Sequence, residues 1–180
     1  MAINPTVVYG PALNSGAGTT LTGTTDWDFT GLTGDATGTV GYRLLYDLTF
    51  SVSGQGYFQL NGDAGNNYDE NWYGAAVATP ATPISGEANG QTLFDLGFGA
   101  QLTTVGKVSG EILFTSVKST SARVQASGVV NSYDSSTGKH GSMRMLWTWI
   151  NSSAQLTRIR VRHTGTVTAG SCTLFTLSGA

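Results

Sequence analysis

In residues 40–52 apolar side chains fall at every second position, with Tyr42, Leu44, Tyr46, Leu48, Phe50 and Val52 alternating against Arg43, Asp47, Thr49 and Ser51. A period of two places the first set on one buried face of an extended strand. A helix would also group Leu44, Leu45 and Leu48. The aromatic and β-branched content, Gly41 and the Ser53-Gly54-Gln55-Gly56 turn favour the strand instead. Residues 57–60 then read as a short partner, giving a hairpin.

The pattern recurs along the chain. Residues 108–115 set Ile112 and Phe114 on one face, residues 122–130 follow a polar turn, and residues 141–150 align Met143, Met145, Trp147 and Trp149. Residues 131–138 read as a hydrophilic hairpin tip, and residues 156–163 and 171–177 supply two late strands. Residues 74–99 hold Pro80, Pro83, Gly86, Gly90, Gly97 and Gly99, which predicts a long crossing connection. No segment fits a capped helix. About eight strands and one long connection imply an all-β fold: a two-sheet antiparallel sandwich, jelly-roll-like, with an up-and-down barrel as the alternative.

At 180 residues the chain suits one domain that buries about 70% of the surface its unfolded form exposes. The first 25 residues contain no charged residue or histidine and are rich in Gly and Pro. They are expected to form an extended N-terminal arm, lying on a neighbouring subunit or on its own domain, ahead of a sandwich spanning residues 26–180. The single cysteine, Cys172, excludes an internal disulfide and is expected to be a small buried hydrophobe.

Only 11% of the residues are charged, yet net charge −2 and 18 aromatics argue against disorder. With no basic run, nucleic acid is not expected as a partner. No apolar stretch approaches the roughly 20 residues that span a bilayer, so no membrane partner is expected. The N-terminus lacks the basic and apolar regions of a secretory signal, which predicts a protein left in the cytoplasm where it is made.

Three features bear on chemistry. The segment Asn61-Gly62-Asp63-Ala64-Gly65-Asn66-Asn67-Tyr68-Asp69-Glu70 concentrates oxygen donors, and Asn61, Asp63, Asn67 and Asp69 alternate as in a Ca²⁺ loop, but the spacing lacks the bidentate Glu of an EF-hand and also suits any tight turn. With Trp72 and Tyr73 it forms a candidate ligand or contact loop comprising Asn61, Asp63, Asn67, Tyr68, Asp69, Trp72 and Tyr73, whose aromatics could stack on a sugar. Arg158, Arg160 and Arg162 share one face of a late strand, which is either solvated or a subunit interface. His140 and His163 have no partner at catalytic spacing, and no nucleophile elbow is present. Neither an enzyme nor a metal or other cofactor is expected.

The run Tyr42-Arg43-Leu44-Leu45-Tyr46-Asp47, the turn Leu60-Asn61-Gly62-Asp63-Ala64-Gly65-Asn66-Asn67-Tyr68, and the late elements Ile159-Arg160-Val161 and Leu174-Phe175-Thr176-Leu177-Ser178-Gly179 resemble a pattern in tailed-bacteriophage virion proteins. That resemblance implies a capsid decoration, head-fibre or tail protein, jelly-roll-like and homotrimeric. It would work by packing against itself and against major capsid or tail proteins in the virion, after synthesis in the host cytoplasm. The last residues, Ser178-Gly179-Ala180, are less hydrophobic than the pattern's usual end. A carbohydrate- or host-receptor-binding module of a phage fibre is the alternative.

Overall fold

The computed structural model describes residues 26–50, 56–75, 83–95, 106–121, 123–134, 138–150, 154–163 and 167–178. The expected N-terminal arm lies outside them. Among the described residues every regular element is a strand: β1 (Asp26–Thr30), β2 (Thr39–Phe50), β3 (Gly56–Leu60), β4 (Tyr68–Ala75), β5 (Pro83–Gln91), β6 (Phe94–Asp95), β7 (Gly106–Thr115), β8 (Val124–Asp134), β9 (Lys139–Trp149), β10 (Arg158–His163) and β11 (Val167–Ser178).

They form two antiparallel sheets, one of four strands in the order β1-β10-β3-β6 and one of seven in the order β11-β2-β7-β8-β9-β4-β5. Consecutive strands pair as hairpins at β4–β5, β7–β8 and β8–β9. Each remaining connection passes from one sheet to the other. The chain is therefore wound as a jelly-roll-like sandwich.

The alternation in β2 buries Tyr42, Leu44, Tyr46 and Leu48. The expected β2–β3 hairpin does not form: β2 pairs with β7 and β11, whereas β3 pairs with β10 and β6 in the other sheet. Period two reveals that a strand buries one face but not which sheet it joins. Crossing over places Phe58 of β3 opposite the large sheet, with its ring 5.5 Å from Phe114 and 5.1 Å from Trp147, both edge-on. Phe94 lies 4.7 Å from Phe58 and 4.6 Å from Tyr68, extending the aromatic cluster across the interface between the sheets. Such edge and tilted contacts add about 0.5–1.5 kcal/mol each to the gain from burial.

Residues 74–99 also differ from the expected connection. They include β5, the edge strand paired with β4, and the short β6. The edge position accommodates Pro83, since a proline there leaves no ladder bond unmade. Gly86 matches the Trp72 indole across the pair: a Cβ at Gly86 would stand 2.5 Å from Cζ2 of that ring. Bulk supplied by Trp72 replaces the apolar side chain that would have marked β5 as a strand.

Candidate functional site

The polar loop between β3 and β4 opens with Asn61 at φ 52° and Gly62 at φ 71°. Two consecutive left-handed residues make a primed turn, closed by the Asp63 N–H donating to the Leu60 carbonyl at 2.9 Å. Asn-Gly is the dipeptide that tolerates this geometry best.

The side chains of Asn61, Asp63 and Asn67 are engaged by the fold itself. Asn61 Nδ2 donates to the Gln155 carbonyl at 2.7 Å, and Asn61 Oδ1 accepts from the Thr157 N–H, the Thr157 hydroxyl and the Arg158 N–H at 2.8, 3.1 and 3.0 Å. Asp63 Oδ1 accepts from the Gly65 N–H at 2.8 Å, while Oδ2 takes Asn67 Nδ2 at 2.9 Å and the Trp149 indole N–H at 2.7 Å. The Asp63 carbonyl accepts from Gln59 Nε2 and from the Tyr68 hydroxyl. Tyr68 is fully buried, and that burial pushes its phenol well above the ordinary range.

These bonds tie together β3, the start of β4, the end of β9 and the approach to β10. The oxygens of Asn61 and Asp63 that suggested a Ca²⁺ loop point at separate N–H and O–H donors instead of converging. Asp69 Oδ1, further along, accepts from the Gly90 N–H. Among the described residues no three His, Cys, Asp or Glu side chains are grouped to hold a metal ion.

Trp72 and Tyr73, adjacent in sequence, face opposite ways because successive strand residues alternate. Tyr68, Glu70 and Trp72 share the inner face, where Tyr68 and Glu70 are buried and Trp72 packs against the core. Tyr73 faces out and is 68% exposed. The structure thus divides the candidate loop. Residues 61–68 are a structural clasp, Trp72 is a packing residue, and Tyr73 alone among its aromatics presents a ring to solvent.

The three arginines do share the outer face of β10, since Ile159 and Val161 between them are fully buried. β10 lies between β1 and β3, with Arg160 opposite Asp28 in the β1 ladder. The Asp28 carboxylate takes Arg158 through Nε at 2.6 Å and through Nη2, and it takes Arg160 through Nη2 at 3.0 Å. Each of these side chains is about 30% exposed. The Arg158 hydrogen bonds dominate, with those of Arg160 assisting against partial burial, and hold the Asp28 carboxyl at about 2. Arg162 is exposed on the same face. The acidic partner lies 130 residues from Arg158 in sequence, which is why the charge cluster alone did not reveal it.

Elsewhere, Cys172 is fully buried, and burial raises its thiol well above the ordinary range. His140 stacks on its cross-strand neighbour Tyr133 at 4.7 Å. Among the described residues no helix is long and apolar enough to cross a membrane.

The outer face of the seven-stranded sheet carries the features that sequence reasoning missed. Cross-strand register aligns Arg43, Leu113, Ser127, Leu146, Asn71 and Glu87 in one row, and Leu45, Glu111, Val129, Arg144, Tyr73 and Ser85 in the next. Leu146 is 60% and Val129 39% exposed. Arg43 pairs with Glu111: its Nη2 donates to Oε2 at 2.9 Å and its Nε lies 2.8 Å from Oε1. Two adjoining depressions mark this face: one of about 480 Å³ over Ser127 and Gly128, between the β7 and β9 side chains, and one of about 440 Å³ over β4, between those of β9 and β5. Alternation in β7, β8 and β9 could have identified the outward residues, but not their alignment across strands distant in sequence.

No protein-family model matches the chain, and no curated protein matches it. Among solved structures, it is similar to galectin LEC-6 of Caenorhabditis elegans, with 13% identity, 84% of this chain and 92% of that one covered, and a TM-score of 0.35. It is also similar to the PL-14 alginate lyase of Aplysia kurodai, with 8% identity, 81% and 71% covered, and a TM-score of 0.30.

Proposed function

We propose that this chain is a non-enzymatic structural protein of a bacteriophage virion, a capsid decoration, head-fibre or tail component that acts by burying surface against copies of itself and against other virion proteins. The phage assignment draws on the sequence resemblance. The observation that carries the packing role is the half of the seven-stranded face formed by β2, β7 and β8. There exposed Val129 and half-buried Leu113 lie beside the Arg43–Glu111 pair, an apolar centre with a charged rim. Apolar surface rimmed by polar groups on a rigid sheet gains by being covered. Isolated exposed side chains would need no such account. Homotrimerisation, from the same resemblance, is part of the proposal.

The experiment is a Val129→Arg substitution introduced into the phage, followed by mass spectrometry of purified particles and light scattering of the isolated protein. Loss of the variant from particles, with its melting temperature within a few degrees of wild type, supports the reading. Full incorporation of a folded Val129→Arg protein, or absence of the wild-type chain from particles, refutes it.

A further inference from the structure

The geometry points to a glycan-binding site for neutral pyranose sugars in the depression over β4, on the half of the large sheet not assigned to subunit packing. Register places six residues there as two rows of three: Arg144, Tyr73 and Ser85 in one, Leu146, Asn71 and Glu87 in the other. All line the depression of about 440 Å³. Neighbouring strands lie about 4.8 Å apart and same-face residues on one strand roughly 7 Å apart, so the grid has the scale of a sugar ring and its nearest substituents.

The chemistry fits this ligand class group by group. Tyr73, 68% exposed on a strand paired on both sides, offers a ring fixed by the sheet. The C–H face of a pyranose covers such a ring, as apolar surface covers aromatics generally. Arg144 supplies donors only, Glu87 acceptors only, and Asn71 both, which matches hydroxyls that each donate and accept. Leu146, 60% exposed, extends the apolar floor beside Asn71.

A contrast within the protein strengthens the case. The polar side chains of Asn61, Asp63, Asn67 and Asp28 are engaged by the fold, whereas Asn71, Tyr73, Glu87 and Arg144 make no side-chain hydrogen bond or ion pair with other described residues. Their polar heads are open to a ligand without breaking a bond to any described residue. Arg144 and Glu87 occupy diagonal corners of the grid, so the site has no net charge. An anionic sugar that paired with Arg144 would also face Glu87, and this favours neutral sugars.

The test is a printed array of neutral hexose and N-acetylhexosamine oligosaccharides probed with the full chain, with uronic and sialic acid glycans alongside. Isothermal titration with the best-bound oligosaccharide follows. Binding to neutral glycans that weakens about tenfold or more in Tyr73→Ala, survives in Tyr73→Trp, and weakens in Glu87→Gln supports the site. Gln125→Ala, on the same outer face but outside the depression, should bind as wild type. Thermal melts of each variant establish that it is folded; these side chains point away from the core, so melting should shift little. Silence across the array at millimolar glycan, preference for the acidic glycans, or neutral-glycan binding indifferent to folded Tyr73→Ala and Glu87→Gln each overturns it.

Discussion

Replacing Asp28 by Asn removes the charge that holds Arg158 and Arg160 together while keeping the side chain's shape. The fall of its carboxyl from an ordinary 3.8 to about 2 corresponds to roughly 2.5 kcal/mol of extra stability when the group is ionised. Solvent reaches about 30% of each side chain in the cluster, and screening reduces the expected contribution to about 1–2 kcal/mol. Because the folded value lies below the unfolded one, the stabilisation is complete above the unfolded value of about 3.8. It drains away as the pH falls through about 2. Urea unfolding of wild type and Asp28→Asn at pH 7, 4 and 2 should show a gap of about 1–2 kcal/mol at pH 7 that nearly closes at pH 2. Equal stability at pH 7 would refute the argument. So would a gap that persists undiminished at pH 2, since a neutral carboxyl and an amide should then serve the arginines alike.

Three further predictions follow from the packing around the clasp and core. Asn61→Ala loses four side-chain hydrogen bonds and puts a Cβ without Asn's local compensation at φ 52°, so stability should fall by about 2–4 kcal/mol by chemical denaturation. Trp149→Phe leaves the ring's volume largely in place but removes the indole donor to Asp63, so denaturation should report a loss of about 1–3 kcal/mol; a change within error would mean that the bond contributes nothing. Cys172 should resist alkylation by iodoacetamide at pH 8 in the native protein and react on unfolding, as followed by intact mass; rapid native labelling would contradict its burial.

The strands with one apolar face were legible because burial leaves a period of two that needs no knowledge of partners. Thus β2, β7, β9 and the Ile159–Val161 face of β10 match expectation. Which sheet each strand joined was not legible, as the fate of β3 shows, because both sheets of a sandwich demand the same alternation. β5 was missed for a different reason. Its inward Gly86 is matched to the Trp72 ring, and an absent side chain has no hydropathy to detect.

The candidate site followed the same division. Period two correctly placed the three arginines on one face, while Asp28, supplied by another strand, could not be anticipated. Dense Asn, Asp and Gly in residues 61–67 marked a turn and a possible ligand loop equally well. Only the bond directions separate the two readings. Parity counted from Tyr68 would have distinguished Trp72 from Tyr73, but the cross-strand partners Arg144 and Glu87 required the fold.

The strand order also governs when this protein can finish folding as it is synthesised. Among the described residues β1 has its ladder partner only in β10, and the free edge of β2 is covered only by β11, so each waits while roughly 115–130 intervening residues are translated. At about 5–20 residues per second that wait is roughly 6–26 s, during which the outer edge of β2 remains available to another nascent chain. The low charge of the chain gives that interval little electrostatic protection. Slow translation near β10, or a chaperone that shields β2 until the late strands emerge, should therefore change the yield of folded protein more than it changes the stability of the finished one.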